Sequence, residues 1–199
     1  MKIKKSIKQV IDYLYLRSKG VDTKFGYCRL IGFPIISKAI GSKIIIENNV
    51  TIVSKTKGNI AGVNNPSIMA TLDKNAVIIL KSGSGISGAK LISVVGIEIG
   101  EHTGLGVNCS IYDTDFHPIE AEKRRNQKST LDAKFKKVVV GNDVLIGANC
   151  IILKGSVIPS SSVVGAGSVV TGPFLEENSV YAGNPAKKIR SIGENNDQE

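Results

Sequence analysis

The chain has 199 residues, of which 42% are hydrophobic, 22% charged and 5% aromatic. This length and composition exclude a wholly disordered protein and predict one substantial domain with its own core. No apolar run approaches the roughly 20 residues that a transmembrane helix needs, and three cysteines without a secretory signal argue against a disulfide-stapled scaffold.

The net charge of +9 is concentrated in two segments, with +5 in residues 1–24 and +6 in residues 123–137. Such local patches predict anionic partners: phosphates, acidic glycans or a membrane surface. We do not expect nucleic acid as a partner, because no helix-turn-helix, zinc-finger spacing or stacking aromatic accompanies the basic residues.

The amino-terminal segment, 1–29, carries apolar residues at helical spacing among lysines: Ile3, Ile7, Val10, Ile11 and Leu14. The pattern predicts an amphipathic basic helix through about residue 19 that ends near Gly20. Two interpretations remain open. The helix covers the open end of the following domain, which we favour, or residues 1–19 lie on an anionic membrane.

A period of six residues dominates the rest of the chain. Aliphatic residues recur at Val140, Ile146, Ile152, Ile158, Val164 and Val170, and small or β-branched residues follow four positions later at Val144, Cys150, Ser156, Ser162 and Ser168. Neither a helix nor a single strand has this period, whereas the flat faces of a parallel β-helix do. The period leaves the handedness open, and parallel crossovers are usually right-handed.

The same phase recurs upstream, less regularly, and extends the predicted β-helix domain to residues 30–192. We assign the inward positions Ile46, Ile52, Leu80, Ile86, Ile92, Ile99, Leu105 and Ile111. This assignment places one inserted residue between Ile92 and Ile99 and a bulge or protruding turn within 53–79.

The repeat stops over residues 112–139, and a loop this long in a compact domain is usually functional. It contains His117, whose ordinary pKa suits a general base at neutral pH. Pro118 favours an extended backbone at His117, so Asp113 and Asp115 could share its side and orient the ring. Alternatively, one of these carboxylates hydrogen-bonds an acceptor.

Other candidate sites are weaker. Cys109 and Cys150 occupy small inward positions of the repeat and are expected to pack rather than react. His102 lies in a polar turn, and two histidines are too few for a three-histidine zinc site, so no metal is expected.

The segment that closes the repeat ends in cations that suit a phosphate-bearing ligand. The polar tail, 193–199, is expected to be disordered.

Three runs together resemble the hexapeptide-repeat acyltransferases, especially the sugar and polysaccharide O-acetyltransferase branch that includes galactoside and maltose acetyltransferases. They are IEIGEHTGLGVNCSIYDTDFHP from Ile97, the repeats of 138–171, and YAGNPAKKIR from Tyr181. The resemblance implies an all-β, left-handed parallel β-helix with an amino-terminal helix and a long protruding active-site loop. It also implies a cytoplasmic homotrimer in which acetyl-CoA binds between subunits.

The resemblance implies that His117 is the general base of acetyl transfer to a sugar or glycan hydroxyl. By position, acetyl-CoA would contact Ala148, Ala166, Thr171, Lys187 and Arg190. One departure is Leu145, where the family often carries Trp, which puts a stacking contact at that point in doubt. Two alternatives stay open: transfer to an amino sugar or serine, and a non-catalytic β-helix scaffold.

Overall fold

The computed structural model describes residues 2–193, without the side chains of residues 2–6. The predicted disordered tail therefore lies, apart from Gly193, outside the described residues. The chain opens with helix α1, Lys2–Ser18, and then winds through parallel strands on three faces. Helix α1 and its end beside Gly20, which has φ of +70°, confirm the helix expected from the sequence.

The three faces are three parallel sheets, which the chain visits in turn. The first face contains β1 Cys28–Ile31, β4 Val50–Val53, β7 Gly85–Ser87, β10 Gly104–Leu105, β13 Leu145–Ile146, β16 Val163–Val164 and β18 Ser179–Gly183, with β19 Ala186–Ser191 antiparallel at its end. The second contains β2 Ile35–Lys38, β5 Ile68–Thr71, β8 Lys90–Ser93, β11 Ser110–Tyr112, β14 Ile151–Ile152 and β17 Val169–Val170. The third contains β3 Lys43–Ile46, β6 Val77–Leu80, β9 Gly96–Ile99, β12 Val138–Val140 and β15 Val157–Ile158.

The hexapeptide period corresponds to one face, and three faces close one coil. Val140 pairs with Ile158, Ile146 with Val164, and Ile152 with Val170, each eighteen positions further along the chain. All six aliphatic side chains are buried in one continuous core. The fold is the left-handed parallel β-helix that the resemblance implies.

One inward position differs from the sequence assignment. Leu91 is buried in the core, whereas Ile92 is only half-buried on the outer side of the second face. A tight corner at 87–89, with Gly88 at φ of +57°, shortens this step of the chain. The step from Ile86 to Leu91 therefore has five residues, whereas the step from Leu91 to Ile99 has eight, so the stretch before Ile99 contains the inserted residues, as expected. The bulge predicted within 53–79 is confined to residues 54–67, because β5 and β6 resume the coil.

Helix α1 covers the amino-terminal end of the stack through an ion pair. Asp12, which is buried, accepts a hydrogen bond from Leu30 N (3.1 Å), and Lys8 Nζ donates to Leu30 O (2.6 Å). Lys8 and Asp12 also contact each other at 2.7 Å. The pair thus satisfies both backbone polar groups of Leu30 on the edge strand β1, so the helix covers the open end, the interpretation we favoured. Neither described helix is long and apolar enough to cross a bilayer.

Candidate active site

The long loop leaves the β-helix after β11, at the corner between the second and third faces, and returns at β12. Its two arms are joined by an antiparallel bridge between Thr114 and Phe135 and by a hydrogen bond from Asp115 N to Lys134 O (3.0 Å). Beyond this stalk lies helix α2, Ala121–Arg125, followed by a short 3-10 helix, Thr130–Asp132. The loop is therefore a structured projection that can hold a side chain in a defined position.

A three-residue turn directs His117 away from the line of the stalk. Phe116 has φ of +61°, and His117 N donates to Asp115 O at 2.7 Å. A bulky residue in the left-handed region costs of order 1–3 kcal/mol and persists only where its surroundings impose it. Here Phe116 packs edge-on against Tyr112, with ring centroids 5.2 Å apart. The turn breaks the extended backbone that would have placed residues 113, 115 and 117 on one side.

Gln127 is the hydrogen-bond partner of the His117 ring. His117 Nδ1 lies 2.8 Å from Gln127 Oε1, and Gln127 Nε2 donates to Phe116 O and Ser129 O, each at 2.8 Å. Because both amide donors face carbonyls, the amide oxygen must face the ring, and Nδ1 must carry the proton. The exposed imidazole therefore keeps the lone pair of Nε2 free for an incoming proton.

Asp113 has a structural function, which corrects the expectation that it orients His117. Its carboxylate is fully buried and accepts hydrogen bonds from the Ser93 hydroxyl (2.7 Å) and from the backbone N–H groups of residues 94–96 (2.6–2.9 Å). These four donors lie at the corner between β8 and β9, in the preceding coil. Asp113 thus ties the base of the loop to its neighbouring coil and contacts no atom of the His117 ring.

Asp115 contacts Lys154 rather than the His117 ring. Its Oδ1 lies 2.7 Å from Lys154 Nζ, which belongs to the same corner one coil further on. Its Oδ2 is buried and has no hydrogen-bond partner among the described residues. In the structure this carboxylate anchors the loop, and a role toward an acceptor stays a prediction.

Small residues line the corner between the first and second faces, where the resemblance places the coenzyme. A Cβ on Gly106 would lie 2.6 Å from Ala148 N, and one on Gly147 would lie 2.4 Å from Ala166 N. Successive coils therefore pack too closely at this corner for larger residues, and Ala166 remains exposed. The result is a corner of small side chains along three successive coils.

The predicted coenzyme residues fall into two places. Lys187, on β19, pairs with Ala182, which lies against Gly165 at the corner of Ala148 and Ala166. Thr171 follows β17 at the far end of the second face, and Arg190 lies three residues along β19. The loop that carries His117 leaves the second face after β11, whereas the small-residue corner precedes β11, β14 and β17. In a single chain, the base of the loop and this corner are therefore at opposite edges of the second face, whose strands of up to four residues span about 13 Å.

The three cysteines are buried and unsuited to nucleophilic catalysis. Burial, together with the negative charge of Asp12, raises the pKa of Cys28 to about 12. The coupling of the two thiols raises the pKa of Cys109 and lowers that of Cys150. Both side chains are nevertheless fully buried and donate to Gly147 O and Gly165 O, each at 3.1 Å. We expect no fast-reacting thiol when the folded protein is treated with a disulfide reagent, and three after denaturation. One rapid equivalent in the native state would contradict this packing role.

The remaining histidine does not contribute to this site. His102 lies exposed in a turn with φ of +53°, and its N–H donates to Ser82 O at 2.9 Å. Within residues 2–193, no group of three or more His, Cys, Asp or Glu side chains is arranged to hold a metal ion.

No family profile matches the chain, but two curated relatives do. A galactoside O-acetyltransferase from Lactococcus lactis is 35% identical over 105 residues, which are 52% of this chain and 47% of that protein. A 2,3,4,5-tetrahydropyridine-2,6-dicarboxylate N-acetyltransferase from Halalkalibacterium halodurans is 56% identical over 59 residues, 30% of this chain and 24% of that protein. The matches thus span less than half the length of either relative.

Solved structures share the fold at low sequence identity. A polysialic acid O-acetyltransferase superposes with a TM-score of 0.64 at 23% identity, over 90% of this chain and 88% of that one. A hexapeptide-repeat acetyltransferase from Vibrio cholerae, solved with acetyl-CoA, gives a TM-score of 0.52 at 19% identity, over 97% and 85% of the two chains. Together with the curated relatives, these matches confirm the resemblance found in the sequence.

Proposed function

We propose that this β-helix, which resembles hexapeptide-repeat acetyltransferases in sequence and fold, transfers an acetyl group from acetyl-CoA to a hydroxyl of a sugar or glycan. The observation that carries the proposal is the hydrogen bond between His117 Nδ1 and Gln127 Oε1. It sets an exposed imidazole on a structured loop in the tautomer that a general base needs.

His117 performs the proton transfers. Its Nε2 accepts the proton of the acceptor hydroxyl as the oxygen forms a bond to the thioester carbonyl carbon. The same nitrogen then returns the proton to the sulfur as the carbon–sulfur bond breaks. Gln127 Oε1 remains hydrogen-bonded to Nδ1–H and stabilises the imidazolium between these steps. The thioester supplies an activated acyl group, so no acyl-enzyme is required.

The small-residue corner is the proposed site for the coenzyme. Ala148 and Ala166 leave room for the pantetheine arm, and Lys187 beside them supplies positive charge for phosphate groups. Because His117 and this corner lie at opposite edges of one face, we propose that the site is completed between chains of a homotrimer. Thr171 and Arg190 then lie outside the corner and contact the coenzyme only if a second chain brings it to them.

Transfer to nitrogen is the second candidate function, because one matching relative is an N-acetyltransferase. The two functions differ in the acceptor alone, since His117 can deprotonate a hydroxyl or an ammonium group. Free-thiol release from acetyl-CoA, measured with galactosides, oligosialic acid, amino sugars and serine, distinguishes them. If calorimetry detects no acetyl-CoA binding and no acceptor supports thiol release, the non-catalytic scaffold is the better description.

Variants of Gln127 test whether its oxygen positions the base. Gln127→Met removes both the acceptor and the donors, and we expect kcat to fall about 10- to 100-fold. Gln127→Glu removes the donors to Phe116 O and Ser129 O but keeps an acceptor at His117. We therefore expect Glu to restore most of the activity. Because a carboxylate raises the imidazole pKa, the acid limb of its pH–rate profile should lie at higher pH.

The two variants separate positioning from a purely structural role in the loop. If Gln127 only holds the loop through its two donors, Glu and Met lose activity equally and the pH profile keeps its wild-type position. The KM for acetyl-CoA should be unchanged in both, because the hydrogen bonds of Gln127 go to His117, Phe116 and Ser129 and to none of the proposed coenzyme residues. Similar losses in both variants would contradict the tautomer argument.

A further inference from the structure

Helix α1 presents an apolar face to solvent and a mixed face, with both polar and apolar side chains, to the protein. The exposed fractions of Ile7, Val10, Ile11 and Leu14 are 56%, 40%, 48% and 58%. On the opposite side of the helix, Asp12 and Leu16 are buried. The sequence pattern alone favours the reverse arrangement, in which the apolar stripe packs on the first coil.

The backbone of the edge strand explains this orientation. The open end of a β-helix presents unpaired N–H and C=O groups, and the Lys8–Asp12 pair satisfies those of Leu30. Tyr15 likewise donates its hydroxyl to Pro34 O. Polar side chains are thus needed on the inner side of α1. The apolar stripe, defined as Ile7, Val10, Ile11 and Leu14, therefore lies on the outer side of the helix and is exposed to solvent.

The surroundings of the apolar stripe are basic. One cavity beside α1 is lined by Lys8, Ile11, Asp12, Leu30, Gly32, Phe33 and Lys55. Arg29 joins Lys8 and Lys55 around a second cavity. Phe33 is half exposed and packs against Tyr15, with ring centroids 4.5 Å apart and the ring planes tilted by 35°. Residues 1–24 contain seven Lys or Arg and two Asp. Of the two acids, Asp12 is buried against Lys8.

We propose that the apolar stripe docks on an anionic lipid bilayer, with α1 lying in the membrane plane. A helix with an apolar face and flanking cations partitions into the headgroup region, where apolar burial and attraction to anionic lipids act together. A second copy of the chain is the weaker occupant, because it would bring two segments of +5 charge together. The carboxy-terminal end of the stack then points away from the bilayer.

Vesicle sedimentation of the full chain tests this proposal. We expect binding to phosphatidylcholine vesicles that contain about 30% phosphatidylglycerol, weak binding to phosphatidylcholine alone, and loss of binding at about 1 M salt. Ile11→Ser with Leu14→Ser should weaken binding at least about tenfold. Leu175→Ser with Ile189→Ser is the matched control, since both residues are exposed at the opposite end of the stack.

A fluorescent reporter gives an independent measurement, because the chain contains no Trp. Leu14→Trp should show a blue shift of its emission when anionic vesicles are added, whereas Leu175→Trp should not. The proposal is overturned if the wild-type chain does not bind anionic vesicles at low salt. It is also overturned if the Ile11→Ser, Leu14→Ser variant binds these vesicles as tightly as the Leu175→Ser, Ile189→Ser control. Stripe-dependent self-association without vesicle binding would instead assign the surface to a second copy.

Discussion

We expect His117→Asn to lower the rate of acetyl transfer about 10²- to 10⁴-fold, the range that a positioned general base contributes. The Asn amide can still donate to Gln127 Oε1, so the loop should keep its hydrogen bond. It has no basic nitrogen to accept the proton of the acceptor hydroxyl. The binding of acetyl-CoA, measured by calorimetry, should remain close to that of the wild type.

His102→Asn is the matched control, because it changes the only other histidine and Asn tolerates the left-handed backbone at that turn. Its activity should equal that of the wild type within about twofold. If the two variants lose activity equally, the effect is not specific to His117. Full activity in His117→Asn would exclude this histidine as the base and would shift attention to the other loop side chains.

The second large effect is on stability and concerns Asp113. Asp113→Asn replaces an acceptor-only carboxylate by an amide whose N–H₂ faces the backbone donors of residues 94–96. At least one buried N–H group then loses its partner, and we expect the free energy of unfolding to fall by about 3–5 kcal/mol. For a chain of this size, the melting temperature should fall by about 6–20 °C.

Activity measured well below the melting temperature distinguishes this structural role from a catalytic one. Asp113→Asn should retain most of the wild-type kcat at low temperature, in contrast to His117→Asn. Asp22→Asn serves as the stability control, because the Asp22 side chain is 76% exposed. A large loss of kcat in a folded Asp113→Asn protein would restore this carboxylate to the catalytic group.

The sequence predicted the parts of the fold that repeat. From Val140 to Val170 every coil has eighteen residues, so the period alone identifies the inward side chains. Upstream the coils vary in length at their corners, and no period could place Leu91 rather than Ile92 in the core. The handedness came from the resemblance, since local sterics favour the opposite crossover.

The candidate site could be predicted where one residue type suits the proposed chemistry. His117 stands out as a histidine before proline in a long loop. Gln127 gave no such signal, because a glutamine in a polar, basic segment is usually solvated. The expectation for Asp113 rested on an extended backbone, which the left-handed turn at Phe116 interrupts. Similarly, the helical spacing predicted α1 but could not reveal which side of it faces the protein.

The two ends of the β-helix differ in how they stop its growth. A stack of parallel coils could in principle continue from one molecule into the next, because each terminal strand offers the hydrogen bonds that another coil would need. At the amino-terminal end the Lys8–Asp12 pair occupies the polar groups of Leu30. At the other end β19 runs antiparallel and bears Lys187 and Arg190, so a neighbouring end would meet both the wrong strand direction and like charge. End-to-end fibre formation is therefore disfavoured, and association of this chain with itself is directed to the sides of the stack.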